Sequence, residues 1–110
     1  MSLRIDKINE LIRHTVAEII AKEVSFKNEV IVTIVKANTS PNLKNSRILV
    51  SVFPIKESRY VIKTLKHEIY SLQNSLNQKL HMRPLPRIHF FIDETQEAAQ
   101  KVEDILRNLE

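Results

Sequence analysis

Along residues 3 to 24, Ile5, Ile8, Ile12, Val16 and Ile19 recur at spacings of three and four, with Lys7, Glu10, Arg13, Glu18 and Lys22 largely off that line. The spacing predicts an amphipathic helix. Its narrow apolar stripe needs a partner, because propensity alone rarely holds a helix in water. Val30 to Ala37 follows as a run dominated by β-branched residues, with Val30, Val32 and Ile34 on one face and Ile31, Thr33 and Val35 on the other. Apolar residues on both faces read as a strand at the centre of a sheet. Ser40-Pro41-Asn42, inside the polar stretch Thr39 to Asn45, is turn chemistry, so the run should enter a hairpin. Arg47 to Phe53 then alternates, Ile48, Val50 and Val52 against Arg47, Leu49 and Ser51, as expected of a strand with one face on the core. Pro54 closes it.

From Ser58 to His81 the apolar positions Val61, Leu65, Ile69, Leu72, Leu76 and Leu80 return at helical period, but their mean repeat slightly exceeds 3.6 and the stripe drifts around the axis. One bent helix or two abutting ones would absorb the drift, and the weak helix formers Ser71, Asn74, Ser75 and Asn77 mark a place for the break. Pro84 and Pro86 in the connector Met82 to Arg87 end the helix. Arg87 to Asp93 is a third alternating strand, Ile88, Phe90 and Ile92 opposite Arg87, His89 and Phe91. Asp93 with Gln96 could form a capping box, Thr95 competing as the cap, before a final amphipathic helix through Ala98, Ala99, Val102, Ile105, Leu106 and Leu109. The order α, β, β, long or broken α, β, α implies a two-layer α+β domain with the helices on one face of a three-stranded sheet.

Composition narrows the chemistry. A chain of 110 residues buries about 65% of its extended surface, enough for one core, so residues 1–110 are expected to form one domain. The absence of cysteine removes disulfides, thiolate nucleophiles and cysteine-bearing metal sites. The absence of glycine removes the Walker A loop, the dinucleotide fingerprint and the GxxG clamp of typical KH domains. Neither a secretory signal nor a membrane-spanning segment is apparent, which places the chain in the cytoplasm by expectation.

The net charge of +4 hides an asymmetry. Residues 1–40 are near balance, residues 41–90 carry nine bases and two acids, hence +7, and residues 91–110 carry two bases and six acids. Arg59, Lys63, Lys66 and His67 fall close to one helical face, where neighbouring like charges repel and a polyanion would neutralise them. Charge alone leaves two readings open, a solvated surface and a polyanion site. Membrane binding is disfavoured, since no basic amphipathic helix carries tryptophan or interfacial phenylalanine.

Nothing in the pattern points to catalysis or a cofactor. His14, His67, His81 and His89 are scattered, with no HExxH motif and no Ser-His-Asp order that the predicted elements would assemble. His89 reads as an ordinary position on the open sheet face and Asp93 as a helix cap. Leu49 and Phe91 on that face could form a docking patch, a stacking platform for unpaired bases, or a seat for the last helix. Tyr70 either closes the core or presents its ring to a partner.

Two stretches resemble the bacterial ribosome-binding factor A family. Ile31 to Val52 resembles its first hairpin, with Leu43 and Ser51 at positions the family fills with the same residues and Asn42 where it usually has aspartate. Leu80 to Asp93 is similar to its run of leucine, arginine, proline, strand phenylalanine and closing aspartate, here Leu80, Arg83, Pro86, Phe90 and Asp93. With the first helix, the resemblance spans nearly the whole chain. It implies a KH-like fold of type II, in which an alanine-x-glycine kink between the central helices falls on Glu68-Ile69-Tyr70, where neither small residue is present. Without glycine the kink should be milder, shifted toward Ser71 to Asn74, or held by packing.

The resemblance further implies a non-enzymatic assembly factor, without cofactor, that binds the small ribosomal subunit late in maturation and supports processing of the 5′ end of its RNA, notably in the cold. The physical reading beside it makes Lys44, Arg47, Lys63, Lys66, Arg83 and Arg87 phosphate contacts in a monomer. A protein adaptor docking through the Leu49 and Phe91 face is the alternative.

Overall fold

The computed structural model describes residues 3–108, of 96–101 the backbone alone. The elements run α1 (Leu3–Glu23), β1 (Ile31–Thr39), β2 (Asn45–Phe53), a 3-10 turn (Ile55–Glu57), α2 (Ser58–His67), α3 (Ile69–Lys79), β3 (Arg87–Ile92) and α4 (Glu94–Asn108). This is a two-layer α+β, KH-like arrangement. The buried face of α1 is Ile12, Thr15, Val16, Ile19 and Ile20, while Ile5 and Ile8 at its start are only half-buried. Thr15 meets the burial of its hydroxyl by donating to the Leu11 carbonyl oxygen at 2.7 Å.

The sheet order is β1-β2-β3, so the expectation of a central first strand is overturned. β2 is central, antiparallel to β1 and parallel to β3. The hairpin occupies one edge of β2, and the α2–α3 crossover returns the chain to the other edge running the same way. β1 keeps β-branched residues on both faces, yet Ile31 on its outward face is 62% exposed. A bulge at Val35, between the pairs Ile34↔Val50 and Lys36↔Leu49, shifts the alternation. Beyond it Ala37 and Thr39, rather than Lys36, turn inward.

At the base of the hairpin the buried Thr39 and Ser46 join their hydroxyls at 3.2 Å, and the Thr39 N–H donates to Asn9 Oδ1 at 2.9 Å, tying α1 to the sheet. Ser40 and Asn42 organise the turn as their composition implies. The Leu43 N–H donates to the Ser40 carbonyl at 2.8 Å, and Asn42 Oδ1 accepts from the Ser40 hydroxyl and the Lys44 N–H.

The long helical pattern breaks at Glu68, where φ is −92° and ψ is 8°. That is the position the family resemblance marks, not the Ser71–Asn77 stretch that weak helix propensity favours. The geometry has negative φ, so a residue with a Cβ adopts it without glycine. Ser71 and Ser75 instead donate their hydroxyls to the Glu23 carboxylate at the end of α1, and so serve packing between α1 and α3. Val61, Leu65, Leu72 and Leu76 are all but fully buried and form the helical half of the core against Ile48, Val50, Ile88 and Phe90.

Gln73 of α3 clamps the start of β3. Its Nε2 donates to the Pro86 carbonyl at 3.1 Å and its Oε1 accepts from the Ile88 N–H at 2.8 Å, closing part of the sheet edge that no strand covers.

Asp93 caps α4, its Oδ1 accepting from the Thr95 N–H at 3.1 Å while its own N–H continues the sheet to the Val50 carbonyl. The Gln96 half of the expected box, and the stripe positions Ala98, Ala99 and Leu109, lie outside the described side chains. α4 does not join the other helices on the sheet: Val102, Ile105 and Leu106 are each more than half exposed. The projecting helix stretches the molecule to 54 × 34 × 17 Å, with a radius of gyration of 15.5 Å where a compact chain of this length has about 13 Å. No described helix is long and apolar enough to cross a membrane.

Two outcomes follow. Gln73→Ala should lower stability by about 1–3 kcal/mol, because it strands the Pro86 carbonyl and Ile88 N–H, as read by chemical denaturation. Removing residues 94–110 should leave the melting temperature of the remainder nearly unchanged, since the described apolar side chains of α4 are exposed and outside the core; a large drop in a thermal scan would contradict that placement.

Candidate RNA interface

The parallel register of β2 and β3 decides which bases meet. Asn45 pairs with Arg87, Arg47 with His89 and Leu49 with Phe91. The Arg87 N–H donates to the Lys44 carbonyl at 3.0 Å, so Lys44 and Arg87, far apart in sequence, begin the sheet side by side. Alternation along both strands turns Asn45, Arg47, Arg87, His89 and Phe91 away from the core, and all five are exposed. The Arg47 guanidinium lies 4.7 Å from the centre of the Phe91 ring, a cation–π distance. His89 Nε2 and Asn45 Oδ1 are 3.0 Å apart.

Lys66 comes from the other layer. A cleft of about 220 Å³ between the α2–α3 break and β3 is lined by Lys66, Ile69, Ile88, His89, Phe90 and Phe91. Lys63 stands one turn earlier on α2, exposed. Arg83 is exposed in the connector, four residues before Arg87. Of the six expected contacts, then, Lys44 and Arg87 are backbone neighbours at the start of β3, Arg47 lies further along beside His89, the cleft brings Lys66 against β3, and Lys63 and Arg83 are exposed on α2 and in the connector.

The remaining bases of the middle segment do not all converge. Lys56 lines a different cleft, of about 440 Å³, together with Phe53, Lys27 and Glu57. There Lys27 Nζ pairs with the Glu57 carboxylate at 2.6 Å and lies over the Tyr60 ring at 4.7 Å.

The acidic helix starts at the opposite end of β3 from Arg87. Six residues of strand, about 20 Å, separate the two. The exposed carboxylate of Glu94 therefore belongs to a different part of the surface from Lys44 and Arg87.

Several residues of this region carried little or no sequence signal. Asn45 and Ile69 are brought to it only by the pairing of β2 with β3 and by the helix break. Tyr70, for which core and surface were both open, is 89% exposed. The last helix leaves Phe91 at 42% exposure instead of covering it.

Comparison with known proteins bears on the family and the fold. The family model described as ribosome-binding factor A matches residues 4–106. Ribosome-binding factor A of Chlorobium limicola is 32% identical over 112 residues, covering 99% of this chain and 93% of that protein. That of Rhodopseudomonas palustris is 30% identical, covering 97% and 80%. Among solved structures, the crystal structure of ribosome-binding factor A from Thermus thermophilus superposes with a TM-score of 0.69 at 19% identity, over 80% of this chain and 94% of that one. A homology model of the Thermus thermophilus factor, fitted into the cryo-EM map of a 30S–RbfA complex, has a TM-score of 0.63 at 19% identity, over 76% and 88%.

Proposed function

The chain belongs to the ribosome-binding factor A family, and from that premise we propose that it binds the small ribosomal subunit through its RNA and acts there as an assembly factor without catalysis. The observation that carries this reading is the set of bases on and beside β3: Lys44 and Arg87 as backbone neighbours where it starts, Arg47 outward beside His89, and Lys66 at the adjoining cleft. Fixed cations on a folded surface contact phosphates, so shape places the protein and no base code is required of these residues. Lys63 and Arg83 continue the same surface. The chemistry they offer is charge neutralisation, with no nucleophile or proton-transfer pair among them.

The relative fitted into the 30S complex supports the choice of subunit. Work on the free or immature small subunit in the cytoplasm, support of late maturation and of 5′-end processing of its RNA, and a heavier demand in the cold follow from the family reading.

Gradient sedimentation of cell extract at two salt concentrations tests the function: the chain should travel with free small subunits, not with complete ribosomes, and be released as salt rises. Recovery away from small subunits at low salt would refute it. The Lys63→Ala, Lys66→Ala double variant should stay folded, bind more weakly and show a log–log salt slope shallower by about 1.5, the share of two lost phosphate contacts. A folded double variant with undiminished affinity would remove these two lysines from the interface.

A further inference from the structure

Only one face of the sheet is covered. α1, α2 and α3 pack on the side that carries Ile48, Val50, Ile88 and Phe90, whereas the opposite side has no described element over it and α4 points away. A bare sheet face is ordinary when it is polar, but this one holds two exposed rings, Phe91 at 42% and Phe53 at 60%. It also lacks carboxylates: no outward-facing position of the paired strands is Asp or Glu.

The β2–β3 half of that face has a definite composition. Phe91 lies beside Leu49 with the Arg47 guanidinium 4.7 Å from its ring; next to it His89 meets Asn45, and Arg87 stands one pair further on. A stable protein interface buries roughly 800 Å² on each partner around an apolar core; on this half of the face the apolar surface is a ring and a leucine among cations and amide groups, while the exposed Ile31 and Phe53 pair further along, at the far end of β1 and β2. An aromatic face flanked by arginine, with no carboxylate at the outward positions of the paired strands, instead suits a planar group on an anionic backbone.

We propose that the open face of the sheet is a stacking platform for unpaired RNA bases. A base lies against the exposed surface of Phe91, Arg47 and Arg87 take the neighbouring phosphates, and the Asn45–His89 pair faces the base edge. This rests on the RNA-binding reading above and adds the form of RNA recognised there, single-stranded instead of helical.

The test uses the full chain, a short unstructured single-stranded RNA oligomer of mixed sequence and a duplex of equal length, with binding followed by fluorescence anisotropy. Phe91→Leu removes the ring from an exposed position, and circular dichroism checks that the fold persists. It should weaken single-strand binding about tenfold, the scale of one lost stack, while leaving the salt slope and duplex affinity unchanged. Phe91→Tyr should restore the affinity, and Arg47→Gln should make the salt slope shallower by about one.

Undiminished single-strand affinity in folded Phe91→Leu overturns the platform. If that variant still cosediments with small subunits in the gradient assay, the proposed function stands without it; if the unaltered chain fails to cosediment, the function itself is lost. A variant that keeps RNA affinity but loses a salt-resistant, ribonuclease-resistant association with subunits would make the face a protein-docking surface and overturn the proposal as well.

Discussion

The parallel pairing of β2 with β3 is the contact on which both the core and the candidate interface depend. It begins with the Arg87 N–H on the Lys44 carbonyl and ends with the Asp93 N–H on the Val50 carbonyl. Inward, this register stacks Ile48 beside Phe90 and Ser46 beside Ile88 under the helices. Outward, the same register sets Arg47 beside His89 and Leu49 beside Phe91. A slip of one residue would exchange the two faces, placing Phe90 in water and His89 in the core, so burial of the apolar side holds the cationic side in place. Gln73 holds the edge at the start of β3, standing in for a strand by accepting the Ile88 N–H and donating to the Pro86 carbonyl.

A chain without glycine makes this fold by using other residues where glycine usually serves. Leu43 in the hairpin turn has φ of 60° and Glu29 in the loop before β1 has φ of 71°, each a left-handed conformation that costs roughly 1–2 kcal/mol in a residue with a Cβ. Around Leu43 the hydrogen bonds of Ser40 and Asn42 offset that strain. At Glu68 the backbone avoids the left-handed region altogether and still breaks the helix, which is why a family kink that normally contains glycine can be built from Glu68-Ile69-Tyr70.

Charge is separated by architecture. Lys44 of the turn and Arg87 meet where β3 starts, Arg47 of β2 lies further along it, and the acidic helix is launched from where β3 ends. Strand length keeps Lys44 and Arg87 about 20 Å from the first turn of α4, more than a Debye length of about 8 Å at physiological salt, so the carboxylates there do little to neutralise those two cations. The molecule therefore carries exposed bases on and beside the sheet and an acidic helix that starts beyond the end of β3, although its net charge is only +4.

Local pattern determined most of the elements here. The apolar spacing in α1, the alternation in β2 and β3, the Ser40–Asn42 turn, the proline connector and the Asp93 cap are written in short windows of sequence, because each depends on neighbours within a turn or a strand. The list of six basic residues was also available from the chain. What the sequence by itself could not decide was everything requiring a partner distant in the chain: that β1 lies at an edge although its composition suits a centre, that Ser71 and Ser75 serve Glu23 and do not break a helix, that α4 stands away from the sheet, and that Lys44 meets Arg87 and Arg47 meets Phe91 while Lys56 lines a different cleft. Periodicity reports which face of an element is apolar; only the pairing of distant backbone groups sets which faces meet, and the surface follows from that choice.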